Sequence, residues 1–265
     1  MKTRPRYLID LFSGCGGLSY GFEQAGFESV VGVDFDAPAL KTFAHNHPHA
    51  IPMLLDLADS KSIDAIVQEV GNKAIDLIVA GPPCQGFSLT GTRNEDDKRN
   101  RLFYSVFELA EKIKPKFIVI ENVQGIANLY GGRARKAILS EFERLGYQAS
   151  EKLIYAPDYG VPQIRKRMFF VGTLSKGPFE FPAPTHSAEN YVSCEQAIGD
   201  LPSLEGEDGI EISQYASPTT SEYQKLMRQD SPRLMNHVAT KHTDLVISVI
   251  KQVPEGGNHK DLPDG

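Results

Sequence analysis

Residues 76–91 read Asp76-Leu-Ile-Val-Ala-Gly-Pro-Pro-Cys-Gln-Gly-Phe-Ser-Leu-Thr-Gly91. The apolar run from Leu77 to Ala80 is typical of a strand buried on both faces of a sheet. The prolines that follow have no N–H for the sheet ladder, so they end the strand in a rigid turn. Cys84 then follows the carboxyl end of a strand, where open α/β sheets bind ligands. Most free cysteines are buried hydrophobes, but this turn suits core packing poorly and favours Cys84 as a nucleophile.

Apolar runs alternate with amphipathic stretches as far as Gly172. The predicted strands are Tyr7–Ser13, Glu28–Val33, Met53–Leu55, Leu77–Ala80, Lys116–Ile120, Glu151–Tyr155 and Met168–Gly172. The predicted helices are Leu18–Ala25, Ala37–His45, Ser60–Val70, Arg101–Lys114 and Ala134–Leu145, with Ser60 and Asp36 as expected caps. The predicted fold class is therefore α/β, Rossmann-like and doubly wound, with a mostly parallel sheet and an antiparallel last hairpin.

Composition and charge exclude several classes of protein. Of the 265 residues, 41% are hydrophobic and 23% charged, as in ordinary globular proteins. The cysteines, Cys15, Cys84 and Cys194, are three in number and far apart, which argues against a disulfide framework and a metal site and favours a reducing compartment. No membrane span or signal peptide is visible.

The net charge of −6 counts against nucleic acid as a partner. Basic residues nevertheless gather in three clusters, which are either phosphate contacts or solvated faces. The clusters are Arg93, Lys98, Arg99 and Arg101; Arg133, Arg135 and Lys136; and Arg165, Lys166 and Arg167.

Gly14-Cys15-Gly16-Gly17 lies between the first predicted strand and helix. Glycines at such a turn let the backbone approach a nucleotide closely, and the helix terminus favours an anionic or polar group. The spacing departs from the dinucleotide pattern G-x-G-x-x-G, because Ser19 stands at the third glycine position. An NAD-dependent oxidoreductase is therefore disfavoured.

Carboxylates follow the second and third predicted strands. Asp34 is placed to accept hydrogen bonds from the ribose hydroxyls of a bound nucleoside; the alternative role is a helix cap, for which Asp36 is better placed. Asp56 is placed to hold an adenine amino group, with Phe35 and Leu57 as apolar neighbours of the ring. Its alternative role is in capping or a turn.

The strand Lys116–Ile120 delivers Glu121-Asn-Val123 to the edge of the sheet that carries Cys84. Downstream, Gln163, Arg165 and Arg167 point to one side of an extended chain and form a basic face.

These motifs together resemble those of the S-adenosylmethionine-dependent DNA cytosine-5 methyltransferases. The matching stretches are Asp10-Leu-Phe-Ser-Gly-Cys-Gly-Gly17, Gly81-Pro-Pro-Cys-Gln-Gly-Phe-Ser88, Glu121-Asn-Val123 and Gln163-Ile-Arg-Lys-Arg167. They are ordered and correctly spaced over residues 7–172, with weaker likenesses beyond. The resemblance implies a methyl transfer from S-adenosylmethionine to carbon 5 of cytosine in double-stranded DNA.

The resemblance also implies two sets of site residues. The cofactor-binding set is Phe12, Gly14, Gly16, Asp34, Phe35, Asp56, Leu57 and Pro83, and the catalytic set is Cys84, Glu121, Asn122, Arg165 and Arg167. Cys84 as a thiolate adds to carbon 6 of a base flipped out of the duplex, with Arg165 as the candidate cation beside it. Glu121 holds or protonates ring nitrogen 3, Asn122 helps to orient it, and the loop Leu89–Asn100 covers the base.

Residues 1–175 are predicted to be the S-adenosylmethionine-binding catalytic domain. Residues 176–265 are predicted to be an irregular segment leading towards a target-recognition domain, with weak helical stretches such as Cys194–Ile198 and Thr243–Gln252. The recognition region and the last motifs of the family are not recognisable before Gly265. The expectation is therefore a truncated chain, or one half of a split enzyme whose second polypeptide carries the recognition region.

Alternatives stay open at the level of sequence. One is an RNA cytosine-5 methyltransferase, and another is a catalytic subunit or fragment that is inactive without a partner. We predict a cytoplasmic protein, associated with the nucleoid if bacterial, with neither a metal nor a membrane partner.

Overall fold

A computed structural model of the protein describes residues 4–83, 98–204, 208–254 and 256–262. The chain forms two compact units, one of residues 1–159 with 164–188 and the other of residues 160–163 with 189–265. Compactness does not test independent folding, so the predicted domains, 1–175 and 176–265, stay a prediction.

The first unit contains a seven-stranded sheet in the order β3-β2-β1-β4-β5-β7-β6. Its strands are β1 Arg6–Leu11, β2 Phe27–Asp34, β3 Ile51–Leu54, β4 Ile75–Ala80, β5 Phe117–Val123, β6 Gln148–Tyr155 and β7 Lys166–Thr173. The first five pair in parallel, whereas β7 runs antiparallel to both β5 and β6. The predicted α/β, Rossmann-like fold with an antiparallel last hairpin is confirmed.

The central strands are mostly apolar because both faces of the sheet are covered. Every residue of β4 is buried. Neighbouring residues of β1 face opposite sides, so that Leu8 joins a cluster with Phe22 while Ile9 joins a larger one with Phe107 and Phe142. These two cores fix the strand ends that carry the site.

The helices between these strands are α1 Gly17–Gln24, α2 Ala37–Asn46, α3 Ser60–Val70, α4 Lys98–Ile113 and α5 Arg133–Arg144. Asp36 caps α2 as the sequence indicates, since its side chain accepts the N–H of Ala39. The prediction that Ser60 caps α3 is wrong. Asp59 accepts the N–H of Lys61 instead, and Ser60 is the first helical residue.

Three predicted boundaries change at the sheet edge that carries the candidate catalytic residues, one of them the start of β7, which lies at Lys166 rather than Met168. Strand β5 does not stop at Ile120 but continues to Val123, paired with Arg167 of β7. Helix α4 begins at Lys98 rather than Arg101. The last three residues of the predicted covering loop, 98–100, are therefore helical, and the rest of that loop lies outside the described residues.

The second unit is more regular than expected from its many Pro, Ser and Gly residues. Its elements are α6 Cys194–Ile198, β8 Gly209–Ser213, α7 Glu222–Arg228, β9 Leu234–Val238 and α8 Asp244–Ile250. The predicted helix at 194–198 is confirmed, whereas the antiparallel β8–β9 pair was not predicted. Within the described ranges, no helix has both the length and the apolar character needed to cross a membrane.

Candidate active site

The turn between β1 and α1 has a left-handed backbone at three of its residues. Phe12, Gly14 and Gly16 have φ values of 61°, 53° and 88°. Glycine adopts this conformation without strain, whereas Phe12 holds it at a cost of roughly 1–3 kcal/mol, which is typical of functional sites. A Cβ on Gly14 would meet no atom of the described residues within 4 Å. The turn therefore presents open space at the carboxyl edge of the sheet.

Asp34 at the end of β2 holds this turn from the side. Its Oδ2 accepts the N–H of Gly14 at 2.8 Å, and its Oδ1 accepts the N–H of Asp36 at 3.0 Å. A carboxylate has about four acceptor positions, so both oxygens can still accept further donors. The predicted hydrogen bonds from ribose hydroxyls to Asp34 stay a prediction. In the structure the same carboxylate also holds the backbone of the turn through the N–H of Gly14.

The residues predicted to surround an adenine ring differ in exposure. The Phe35 side chain follows β2 and is 75% exposed, while Leu57 is buried. Asp56 is exposed, and its Oδ1 accepts the N–H of Ala58, so the turn role considered for it is confirmed. Its second oxygen, Oδ2, receives no donor among the hydrogen bonds of the described residues. An amino group can still bind there.

One further polar atom makes this edge suitable for an adenosyl group. The hydroxyl of Ser13 is buried and has no hydrogen-bond partner among the described residues. Buried hydroxyls are normally paired. Together with the open space at Gly14, the exposed ring of Phe35 and the acceptors of Asp34, it fits a polar nucleoside ligand.

Asn122 braces the turn that leads to Cys84. Its Nδ2 donates to the carbonyl oxygen of Pro82 at 2.9 Å, and its Oδ1 accepts the N–H of Val123 at 2.8 Å. The Asn122 side chain is buried, so both of its polar ends are used inside the protein. It fixes the backbone just before Cys84.

Glu121 and Arg167 form an ion pair across β5 and β7. Arg167 Nε lies 2.8 Å from Glu121 Oε1, and both side chains are about a quarter exposed. Glu121 Oε2 is 3.9 Å from the position that a Cβ on Gly81 would occupy. The carboxylate is thus held beside the Gly81-Pro82-Pro83 turn with its second oxygen on that side.

The predicted basic face of Gln163, Arg165 and Arg167 rested on a regular extended chain, and that premise is wrong. The chain bends between residues 161 and 165, where the N–H of Gln163 donates to the carbonyl oxygen of Val161, and β7 begins only at Lys166. The cause is local, because Gly160 has a φ of 80° and Pro162 follows. Arg165 is exposed and lies just before β7.

Cys84 and the following residues to 97 lie outside the described part of the chain. The last described residue before them is Pro83, which is exposed. The N–H of Gly81 donates to the carbonyl oxygen of Leu11 at 3.3 Å, so the two turns leave the sheet side by side. The side chains of the basic cluster from Arg93 to Arg101 likewise lie outside the described part of the structure.

A buried polar network below the glycine turn was not predicted. Asp10 accepts a hydrogen bond from the hydroxyl of Ser19 at 2.7 Å, and both residues are buried. Burial raises the pKa of Asp10 to about 7, against the opposing effects of Ser19 and His47. His47 lies between Glu23 and the backbone of the turn. The sequence contains one signal of this network, namely Asp10 between the apolar residues Ile9 and Leu11 of β1.

The sheet order and the glycine-rich turn at its carboxyl edge define an α/β protein of the methyltransferase class. A family model described as C-5 cytosine-specific DNA methylase matches residues 7–260. The chain belongs to that family.

Individual relatives agree with this assignment. The chain is 36% identical over 262 residues to the Type II methyltransferase M.DdeI of Desulfomicrobium norvegicum, covering 96% of this chain and 62% of that protein. It is 34% identical over 243 residues to the Type II methyltransferase M.AquIA of Picosynechococcus sp., covering 87% of this chain and 98% of that protein. The chain spans 61% to 63% of the length of four type II relatives, M.DdeI among them.

A solved structure agrees over nearly the whole chain. It is described as a DNA modification methyltransferase encoded within a prophage (E. coli), with 27% sequence identity and a TM-score of 0.71. The alignment covers 94% of this chain and 75% of that chain. The similarity therefore includes the second unit as well as the sheet.

Proposed function

We propose that this chain transfers a methyl group from S-adenosylmethionine to carbon 5 of cytosine in double-stranded DNA, through a covalent adduct of Cys84 with a flipped base. The observation that carries the proposal is the geometry at the ends of β4 and β5. There Asn122 fixes the turn before Cys84, and Arg167 holds Glu121 beside that turn. Membership of the cytosine-specific family supports the choice of base.

The cofactor would be held at the neighbouring edge of the sheet. Phe12, Gly14 and Gly16 shape the turn that it would approach, Asp34 would accept the ribose hydroxyls, and Pro83 would border the same space. Phe35, Asp56 and Leu57 would surround the adenine. S-adenosylmethionine would supply an activated methyl group on its sulfonium.

The protein's own residues would activate the base. Carbon 5 of cytosine is a poor nucleophile until another nucleophile adds at carbon 6, and a thiolate such as that of Cys84 is suited to this step. Glu121 would hold or protonate ring nitrogen 3 as the sulfur adds, and Arg167 would keep its carboxylate in place. Arg165, exposed just before β7, stays the candidate cation for the thiolate. Once carbon 5 has gained the methyl group, loss of its remaining proton would re-form the 5,6 double bond and release Cys84 as the thiolate.

The target base must leave the duplex to reach these groups, so double-stranded DNA is the proposed partner. A second polypeptide with the recognition region stays a prediction that no observation on the described residues supports. We also propose a cytoplasmic location, associated with the nucleoid in a bacterial host.

The test is covalent capture of a mechanism-based substrate. Duplexes carrying 5-fluorocytosine in randomised sequence contexts are incubated with the protein and S-adenosylmethionine, because fluorine at carbon 5 blocks the release of the enzyme. Mass spectrometry of peptides should find the adduct on Cys84 and lose it in Cys84→Ser. Cys15→Ser and Cys194→Ser are matched controls, since both thiols are free and exposed. An adduct that survives Cys84→Ser, or none with any context, contradicts the mechanism.

A further inference from the structure

Two side chains at the end of α2 contact the glycine turn from behind. Asn46 Nδ2 donates to the carbonyl oxygen of Cys15 at 3.0 Å, and His47 Nε2 lies 3.0 Å from the carbonyl oxygen of Gly16. Three of the four residues from Gly14 to Gly17 are glycines, which restrict the backbone little, although the N–H of Gly16 donates to the carbonyl oxygen of Ser13 within the turn. Its conformation therefore depends on groups from another element.

The imidazole of His47 is buried and tightly packed behind the glycine turn. Its side chain is fully buried, and its ring lies 4.5 Å from that of Phe43, measured between centroids. A Cβ on Gly16 would lie 2.1 Å from His47 Nε2. Only a glycine at this position allows the ring to approach the turn so closely.

The contact with His47 helps to fix the direction of a peptide group. In a trans peptide the C=O of Gly16 and the N–H of Gly17 point in opposite directions. The Gly16 oxygen accepts the N–H of Tyr20 at 2.8 Å in the first turn of α1 and also contacts His47 Nε2, so the Gly17 N–H points away from both. Gly17 is the first residue of α1, where an N–H has no partner within the helix. His47 and α1 together thus hold this donor in one orientation.

The second ring nitrogen of His47 is also held. The Gly16 carbonyl can only accept, so Nε2 of His47 must carry hydrogen. Nδ1 lies 2.9 Å from Glu23 Oε2, so a side chain of α1 lies against the opposite edge of the ring. Glu23 and the Gly16 carbonyl together fix the rotation of the imidazole.

We propose that His47, assisted by Asn46 and by Glu23, is a positioning residue for the adenosyl cofactor. This inference rests on the proposed function, since it assumes that the glycine turn binds S-adenosylmethionine. His47 does not touch the ligand. It acts by holding the Gly16–Gly17 peptide in the orientation that the ligand needs.

Binding of S-adenosylhomocysteine, measured by isothermal titration calorimetry, tests the inference without requiring turnover. His47→Leu removes the donor and should weaken binding about tenfold, the usual effect of one lost hydrogen bond. His47→Gln places an amide nitrogen near the position of Nε2 and should restore binding to within about threefold of the wild type. Asn46→Asp, an isosteric change at an exposed residue, replaces a donor by an acceptor and should also weaken binding. Urea unfolding of each variant reports its folding separately.

The outcomes separate the inference from the function on which it rests. A wild-type protein that does not bind S-adenosylhomocysteine contradicts the proposed function. A wild-type protein that binds it, with equal affinity in folded His47→Leu, contradicts the role of His47. A folded His47→Gln that binds no better than His47→Leu contradicts the hydrogen bond to Gly16 as the means by which His47 acts.

Discussion

Asp10 should make the protein less stable as the pH rises. Its carboxyl group is 1% exposed at the end of β1 and is bonded to Ser19, and burial raises its pKa from 3.8 to about 7. Between these two values the folded state binds more protons than the unfolded state. Stability therefore falls as the pH rises through this window, in contrast to a salt-bridged aspartate.

The size of the effect follows from the two pKa values of Asp10. The difference between 3.8 and about 7, at ~1.4 kcal/mol for each pH unit, corresponds to about 4 kcal/mol of lost stability once both states are ionised. Roughly 2–3 kcal/mol of this falls between pH 5 and pH 8. Asp10→Asn removes the titration but retains an oxygen that can accept from Ser19. Between pH 5 and pH 8, the free energy of unfolding of Asp10→Asn should therefore rise relative to that of the wild type by this roughly 2–3 kcal/mol.

Urea unfolding followed by circular dichroism at several pH values measures this difference. Asp76→Asn is a matched control, since Asp76 is also a buried aspartate of the sheet. Burial alone would raise its pKa, but hydrogen bonds from Lys116 and Arg4 outweigh burial and lower it. The difference between Asp76→Asn and the wild type should therefore stay constant above about pH 5. If the difference in free energy of unfolding between Asp10→Asn and the wild type is equally constant, Asp10 is not protonated in the folded state and the reasoning is refuted.

Three further predictions concern the turns and the acid. Asp34→Ala removes the acceptor of the Gly14 N–H and should weaken S-adenosylhomocysteine binding by about tenfold or more; an unchanged calorimetric affinity contradicts its role. Gly16→Ala would bring a Cβ to 2.1 Å from His47 and should lower the free energy of unfolding by roughly 2–4 kcal/mol. Gly14→Ala, at a position where the described residues leave room for a Cβ, should lower it by only about 1 kcal/mol. Equal losses for the two variants in urea unfolding contradict this difference. Glu121→Gln should slow capture of 5-fluorocytosine DNA about 10²–10³-fold without changing cofactor affinity; an unchanged capture rate removes the acid from the mechanism.

Much of the fold could be predicted because its strands are short apolar runs bounded by turn residues. The α3 range 60–70 and the α6 range 194–198 agree with the structure to the residue. The strand ends could not be placed as well. Polar residues such as Glu121 and Asn122 look like loop residues, yet they continue β5 because β7 pairs with them.

The network around His47 could not be predicted, since it depends on the packing of α2 against the turn. Local sequence gives no measure of which carbonyl oxygens need a donor from elsewhere. Ser19 was interpreted as a departure from a dinucleotide motif, whereas in the structure it is the partner of Asp10. The basic face from Gln163 to Arg167 failed for a related reason, because Gly160 and Pro162 bend the chain that was expected to be extended.

The most direct measurement is the identity of the methylated product. The protein is incubated with randomised DNA duplexes and S-adenosylmethionine carrying a deuterated methyl group, and the DNA is digested to nucleosides for mass spectrometry. The label should appear in 5-methyldeoxycytidine and disappear in Cys84→Ser. Label on another atom or base, or label transferred to RNA but not to DNA, would contradict cytosine-5 methylation of DNA by Cys84.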